Sequence, residues 1–132
     1  MILALKTSDD TAQLWLYDSR FSAEPLAELT WQSGRQLADQ LLASITEFLA
    51  SQARGPADLE GLIIYSGPGS FTSLRIGHSV ANALADSLGV PVAGATGTAW
   101  AAAALKSLEH TPAGQSALPH YGAEANITKP KT

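Results

Sequence analysis

Between a short apolar run at residues 62–65 and a helical pattern ending near Leu88 stands the turn Ser66-Gly67-Pro68-Gly69-Ser70. It constrains the fold more than any other segment. An apolar run bounded by glycines fits a strand buried on both faces, and so short a turn sends the chain straight back along the sheet as a helix. Gly67 and Gly69 permit backbone angles or close approaches that a side chain would block. Pro68 stiffens the turn, and Ser70 can cap the helix that follows. Gly89 supplies the C-cap, and residues 91–95 make the next strand.

The N-terminal third has a different period. Residues 1–7 form an apolar strand that ends in the turn formers Ser8-Asp9-Asp10. Residues 13–17 alternate, with Leu14 and Leu16 on one face and Trp15 and Tyr17 on the other. Residues 26–32 alternate again, setting Ala27, Leu29 and Trp31 against Leu26, Glu28 and Thr30. A first helix spans residues 35–53, stopped by Gly55-Pro56, and a third spans residues 99–108. The predicted order is β-β-β-α-β-α-β-α, an α/β layer with a mixed five-stranded sheet, in one lobe over residues 1–108. Residues 109–132, rich in Pro, Gly and polar side chains, are expected to be an irregular tail.

With 132 residues and no cysteine, the chain suits one domain without disulfides or a thiolate metal site, and the expected compartment is the cytoplasm. No stretch approaches the roughly 18 apolar residues of a membrane span. A net charge of −4, with eight basic residues spread along the chain, offers no electropositive stripe for direct nucleic-acid binding. Charged residues make up 15% of the chain, against about 25% in ordinary soluble domains. Either this is an alanine-rich chain that carries few charges, or a large interface covers part of its surface.

Projection at the helical period favours the interface. In the second helix Arg75, Ser79, Asn82 and Asp86 form a polar strip, and a broad stripe including Phe71, Leu74, Gly77, Ala81 and Ala85 faces the other way. A further row, Ile76, Val80 and Ala83, adjoins neither. The first helix shows the same excess, with Leu37, Leu41, Ile45 and Phe48 on one side and Ala38, Leu42 and Leu49 on the other. Two adjacent helices with surplus apolar rows predict a helix-pair interface completed by another subunit.

The run Gly-Pro-Gly-Ser-Phe-Thr-x-Leu-Arg-Ile-Gly, residues 67–77, resembles the signature of the TsaB (YeaZ) family, small actin-like-fold proteins of bacterial tRNA modification. The opening Met-Ile-Leu-Ala-Leu-Lys-Thr-Ser and the segment Leu88-Gly89-Val90-Pro91-Val92 are similar to the family as well, and the likeness covers roughly residues 1–105. The resemblance implies a single actin-like ATPase (ASKHA, ribonuclease H-like) lobe. It implies a non-catalytic scaffold for TsaD, which transfers a threonylcarbamoyl group to adenosine 37 of tRNA, with the ATPase TsaE as a further partner. It also implies that the first helix and the signature helix bundle with their counterparts in TsaD or in a second copy. The expected partner-binding residues are then Leu37, Leu41, Ile45 and Phe48 from the first helix, with Phe71, Leu74, Arg75, Ile76, His78 and Val80 from the second. tRNA is reached only through the partner, and ATP only at the assembled complex.

Some positions depart from the family. Lys6 stands where the actin-like group usually has a Mg²⁺-holding Asp, Ser73 replaces a usual Gly, and Gly34-Arg35 replaces a common His-Ser. Most members carry a second lobe after the third helix, where this chain continues only to Thr132.

Other chemistry is thinly supported. A strand-glycine-helix junction can hold an anion, which makes Gly67, Gly69 and Ser70 a candidate nucleotide-facing turn. It lacks both G-x-x-x-x-G-K-[ST] and G-x-G-x-x-G, and it reads equally as a tight turn that lets the helix pack closely. His78, His110 and His120 show no metal-ligand spacing, Asp9 and Asp10 read as a solvated turn, and Trp15, Trp31 and Trp100 read as packing aromatics. No catalytic or metal residue is assigned. Two alternatives stay open: a small nucleotide-binding protein of the actin-like group, and a homodimeric interaction module.

Overall fold

The computed structural model describes residues 1–120. Three strands come first: β1 (Ile2–Lys6), β2 (Thr11–Tyr17) and β3 (Ala27–Gln32). The helix α1 (Leu37–Ser51), β4 (Gly61–Tyr65), α2 (Phe71–Leu88), β5 (Val92–Ala95) and α3 (Trp100–Ser107) follow. The sheet order is β3-β2-β1-β4-β5. β1 pairs antiparallel with β2 and β2 with β3, while β1–β4 and β4–β5 are parallel. This is the mixed five-stranded sheet expected of a single actin-like lobe, in the predicted element order.

The two faces of the sheet explain the patterns. Leu3, Leu5, Leu14, Leu16, Leu62 and Ile64 pack under α1 and α2, whereas Ile2, Ala4, Ile63 and Tyr65 pack under α3. β1 and β4 are covered on both sides, so nearly every residue is apolar. β2 keeps its alternation: Ala12, Leu14 and Leu16 face α1, while Trp15 on the other face meets Trp100 of α3 with ring centroids 5.8 Å apart. Each fully buried leucine or isoleucine contributes about 1.5–3 kcal/mol. β3 is an edge, and its exposed Glu28, Thr30 and Gln32 discourage pairing with another sheet.

The β1–β2 turn also places α1. Asp10 carbonyl accepts the amides of Ser33 and Gly34 at 2.8 and 3.2 Å. Ser33 turns its hydroxyl to the same oxygen at 3.1 Å rather than capping a helix. A single turn of 3₁₀ helix at Gly34–Gln36 then leads into α1, which is why α1 begins later than its pattern suggests.

Gly89 closes α2 in the left-handed region, at φ 69°, and nothing lies within 4 Å of where a Cβ would stand. Gly89→Ala is therefore expected to lower stability by about 1 kcal/mol through backbone strain alone, read from a urea or thermal melt. Past His110, the described residues form neither helix nor strand. Residues 121–132, part of the expected tail, lie outside the described residues.

Candidate functional site

Two places on this scaffold are built with enough specificity to matter: the carboxyl end of the parallel strands, and the outer face of α1 and α2.

At the carboxyl end, Tyr65 leads through Ser66 into the Gly67–Ser70 turn. Gly67 has φ +124°, the Gly67–Pro68 peptide is cis, and the Tyr65 hydroxyl donates to Pro68 carbonyl at 2.7 Å. Gly69 packs on the turn after β1, where an added Cβ would stand 2.6 Å from Ser8 Cβ and 2.7 Å from Ser8 carbonyl oxygen. The Ser70 amide donates to that same Ser8 oxygen at 2.7 Å, and Ser70 Oγ accepts from the Ser73 amide at 3.3 Å. Gly77 allows an equally close approach deeper in the helix, because Thr7 fills the place its Cβ would take; the Thr7 hydroxyl donates to Ser73 carbonyl at 2.9 Å.

This geometry bears on the anion reading of Gly67, Gly69 and Ser70. The Ser70 amide is committed to Ser8, and glycine at 69 admits a neighbouring strand turn rather than a ligand. Lys6 is engaged by the Tyr65 ring, its Nζ 4.6 Å from the centroid. Among the described residues no group of three or more His, Cys, Asp or Glu converges as a metal site would require. Asp9 caps its own turn, Oδ1 accepting the Thr11 amide at 2.8 Å. The residues present at the turn do not fit a Mg²⁺-nucleotide.

Beneath the turn, Ser66 Oγ and His78 Nε2 are 3.0 Å apart, and His78 Nδ1 lies 2.8 Å from Leu74 carbonyl. Both side chains are buried. A carbonyl can only accept, so Nδ1 carries the proton and Nε2 receives the Ser66 hydroxyl. Burial holds the His78 imidazole below its ordinary pKa, against the pull of Leu74 carbonyl, and the nearby His120 adds to the lowering.

The helix face differs from its projection, and six expected partner contacts need correction. Leu37, Leu41, Ile45 and Phe48 lie inside the chain's own core over β1 and β2. Leu74 is enclosed near Tyr65 and Trp100, and His78 is held by Ser66. In the single chain none of these six is more than 5% exposed. The sheet and the α1–α2 contact together absorb the inner rows of both helices and leave the Ile76, Val80 and Ala83 row only partly covered. What stays accessible is narrower: Phe71, with Arg75 over its ring at 5.4 Å, the partly buried Ile76 and Val80, and the exposed Ala83. Leu42, 54% exposed, joins them from α1. Leu42, Val80, Ala83 and Leu84, with Ser79 and Ser87, line an open apolar groove of about 310 Å³ between the helices. Leu42 was grouped with Ala38 and Leu49 in the sequence. Nothing in that row sets it apart from Leu49, which the structure buries.

A profile of the family described as "TsaD: tRNA N6-adenosine threonylcarbamoyltransferase" matches residues 31–116, a stretch that contains both helices, the signature turn and α3. The chain belongs to the TsaD family. Within it, the structural likeness is to the TsaB/YeaZ type. YeaZ from Pseudomonas aeruginosa superposes with a TM-score of 0.63 at 26% identity, over 72% of this chain and 43% of that one. A second solved chain, described as an uncharacterized protein with similarity to peptidase YEAZ from Pseudomonas aeruginosa, gives the same score and identity over 72% of this chain and 42% of its own. Uncharacterized proteins of Mycobacterium bovis and Mycobacterium tuberculosis are 38% identical over 69 residues, 52% of this chain and 33% of theirs. This TsaD-family chain thus spans a third of the curated relatives and under half of the solved ones. Among its described residues no helix is long and apolar enough to cross a membrane.

Proposed function

We propose that this chain is a non-catalytic docking subunit of the tRNA threonylcarbamoyladenosine modification system, binding a TsaD-type transferase subunit through the α1–α2 face. Membership of the TsaD family supports a role in tRNA modification. The single observation that carries the docking role is the apolar groove around Leu42, Val80, Ala83 and Leu84. A strip of this kind, set among serines, is the form of surface into which the apolar stripe of another helix fits. A TsaE-type ATPase, ATP and tRNA come into play at the assembled complex. The chain's net charge of −4 favours tRNA contact through the partner, and the closed turn at Ser70 argues against ATP handling here.

The test is co-expression with the cognate transferase subunit followed by size exclusion. One co-eluting peak supports docking, and two separate peaks at micromolar concentration overturn it. Leu42→Asp and Val80→Asp should each weaken the complex by about 30-fold or more, the scale of an interface hot spot. Circular dichroism melts should move little for Leu42→Asp, because its side chain already faces solvent. A self-paired dimer that excludes the transferase would point to a homodimeric module instead.

A further inference from the structure

Residues 111–120 run from beside Val92 at the start of β5 to the carboxyl end of β4, a strap fastened at two points. At the first, the Asn82 side chain imitates a neighbouring strand: Nδ2 donates to Ala117 carbonyl at 3.0 Å and Oδ1 accepts the Ala117 amide at 2.8 Å. Ala117 itself is buried. At the second, the His120 amide donates to Ser66 carbonyl at 2.6 Å, and the His120 carbonyl occupies the place where a side chain on Gly67 would begin. The glycine that opens the turn is thus also the seat of the strap.

Ser66 joins this fastening to the buried imidazole below. Its carbonyl holds His120, and its hydroxyl donates to His78 Nε2. Protonation of His78 would turn Nε2 into a donor, force the Ser66 hydroxyl to find another acceptor, and place a charge in a site only 3% exposed. Such a charge is tolerated once water reaches it. Lifting the strap supplies water through the cavity of about 360 Å³ that Ser66, Gly94, Ala117 and His120 help to line.

We propose that residues 115–120 form a latch that closes over the Ser66–His78 pair at neutral pH and lifts when His78 takes up a proton, opening the carboxyl end of the sheet. Burial lowers the His78 pKa in the closed state, so the closed state disfavours the proton. Its stability is complete above the ordinary histidine value of about 6.5 and declines as the pH falls below it. Of the surrounding elements, α3 carries Lys106 and the turn after it Glu109 and His110, all exposed. β5 carries no ionisable side chain, the β4 Tyr65 hydroxyl is bonded to Pro68 carbonyl, and the β1 Lys6 lies over the Tyr65 ring. On α2, Arg75 lies over Phe71 and Asp86 is exposed, as are Asp39 and Glu47 of α1. His120, on the strap itself, adds to the lowering of the His78 pKa.

Amide hydrogen exchange on the full chain tests this. Between about pH 7.5 and about pH 5, protection factors at Ala117 and His120 should fall about tenfold or more, while Ile63 and Ile64 in β4 change far less. Parallel loss at all four amides, or no loss at Ala117 and His120, overturns the latch. In His78→Gln the selective loss should vanish, and its persistence would assign the effect to His120 and overturn the proposal. Should that variant fail to fold, the native chain decides by NMR: the His78 ring titration must coincide with the loss of Ala117 protection, and separate midpoints overturn it.

Discussion

Leu41→Asp should abolish the cooperative melt of this chain at neutral pH, whereas Leu42→Asp, one residue along the same helix, should leave it nearly unchanged. Leu41 is fully buried among β1, β2 and α2, and Leu42 is 54% exposed. Removing the buried leucine costs about 2–5 kcal/mol. An unpaired carboxylate in its place shifts its pKa upward by as much as 3–5 units, adding about 4 kcal/mol at neutral pH, where protonation caps the cost. Together these rival the 5–15 kcal/mol that holds a typical domain together. The sign with pH is fixed. A raised carboxyl pKa means that acid neutralises the offending charge, so Leu41→Asp should recover part of its helical signal near pH 4 in circular dichroism. A native-like melt at neutral pH would mean that α1 does not pack as described.

Gly77→Ala should destabilise the chain by about 2–4 kcal/mol, although the same change in an ordinary helix interior stabilises by about 1 kcal/mol. The reversal comes from Thr7. An added methyl would overlap its hydroxyl oxygen and stand 3.1 and 3.3 Å from Cβ and Cγ2, so no rotation of the threonine clears it. Thr7 is fully buried and its hydroxyl bond to Ser73 carbonyl would be lost as well. Thr7→Ala removes the obstruction, so urea melts of the two single variants and the double variant should show a coupling of about 1–3 kcal/mol. Strict additivity would exclude a direct clash.

The fold was largely legible because its signals are local. The glycines around the 62–65 run, the alternation at Leu14 and Leu16, and Gly89 each report backbone conformation within a few residues. The helix face was less so. Periodicity gives the direction of Leu37, Leu41, Ile45 and Phe48 from their axis, but not how much of the sheet and of α2 waits there to cover them. Leu49 and Ala38 project close together, yet Leu49 is buried and Ala38 exposed. Burial changes along a helix as its neighbours begin and end. The polar contacts were the least legible. Asn82 reads as one more member of a solvated strip until Ala117, 35 residues away, is seen against it. The Ser66–His78 bond likewise joins a strand end to a helix interior. The same holds for Lys6, whose meaning depends on Tyr65 in the adjacent strand.

The placement of β1 has a kinetic corollary. On one side it meets β2 through a short reversal, so that ladder can zip locally. On the other side Ile2 must find Gly61, after β3 and all of α1 have been spooled out between them. Loop closure over so long a stretch is slow relative to hairpin formation. The expected order of assembly puts the meander β1–β2–β3 first, a template onto whose free side the remainder of the sheet is recruited.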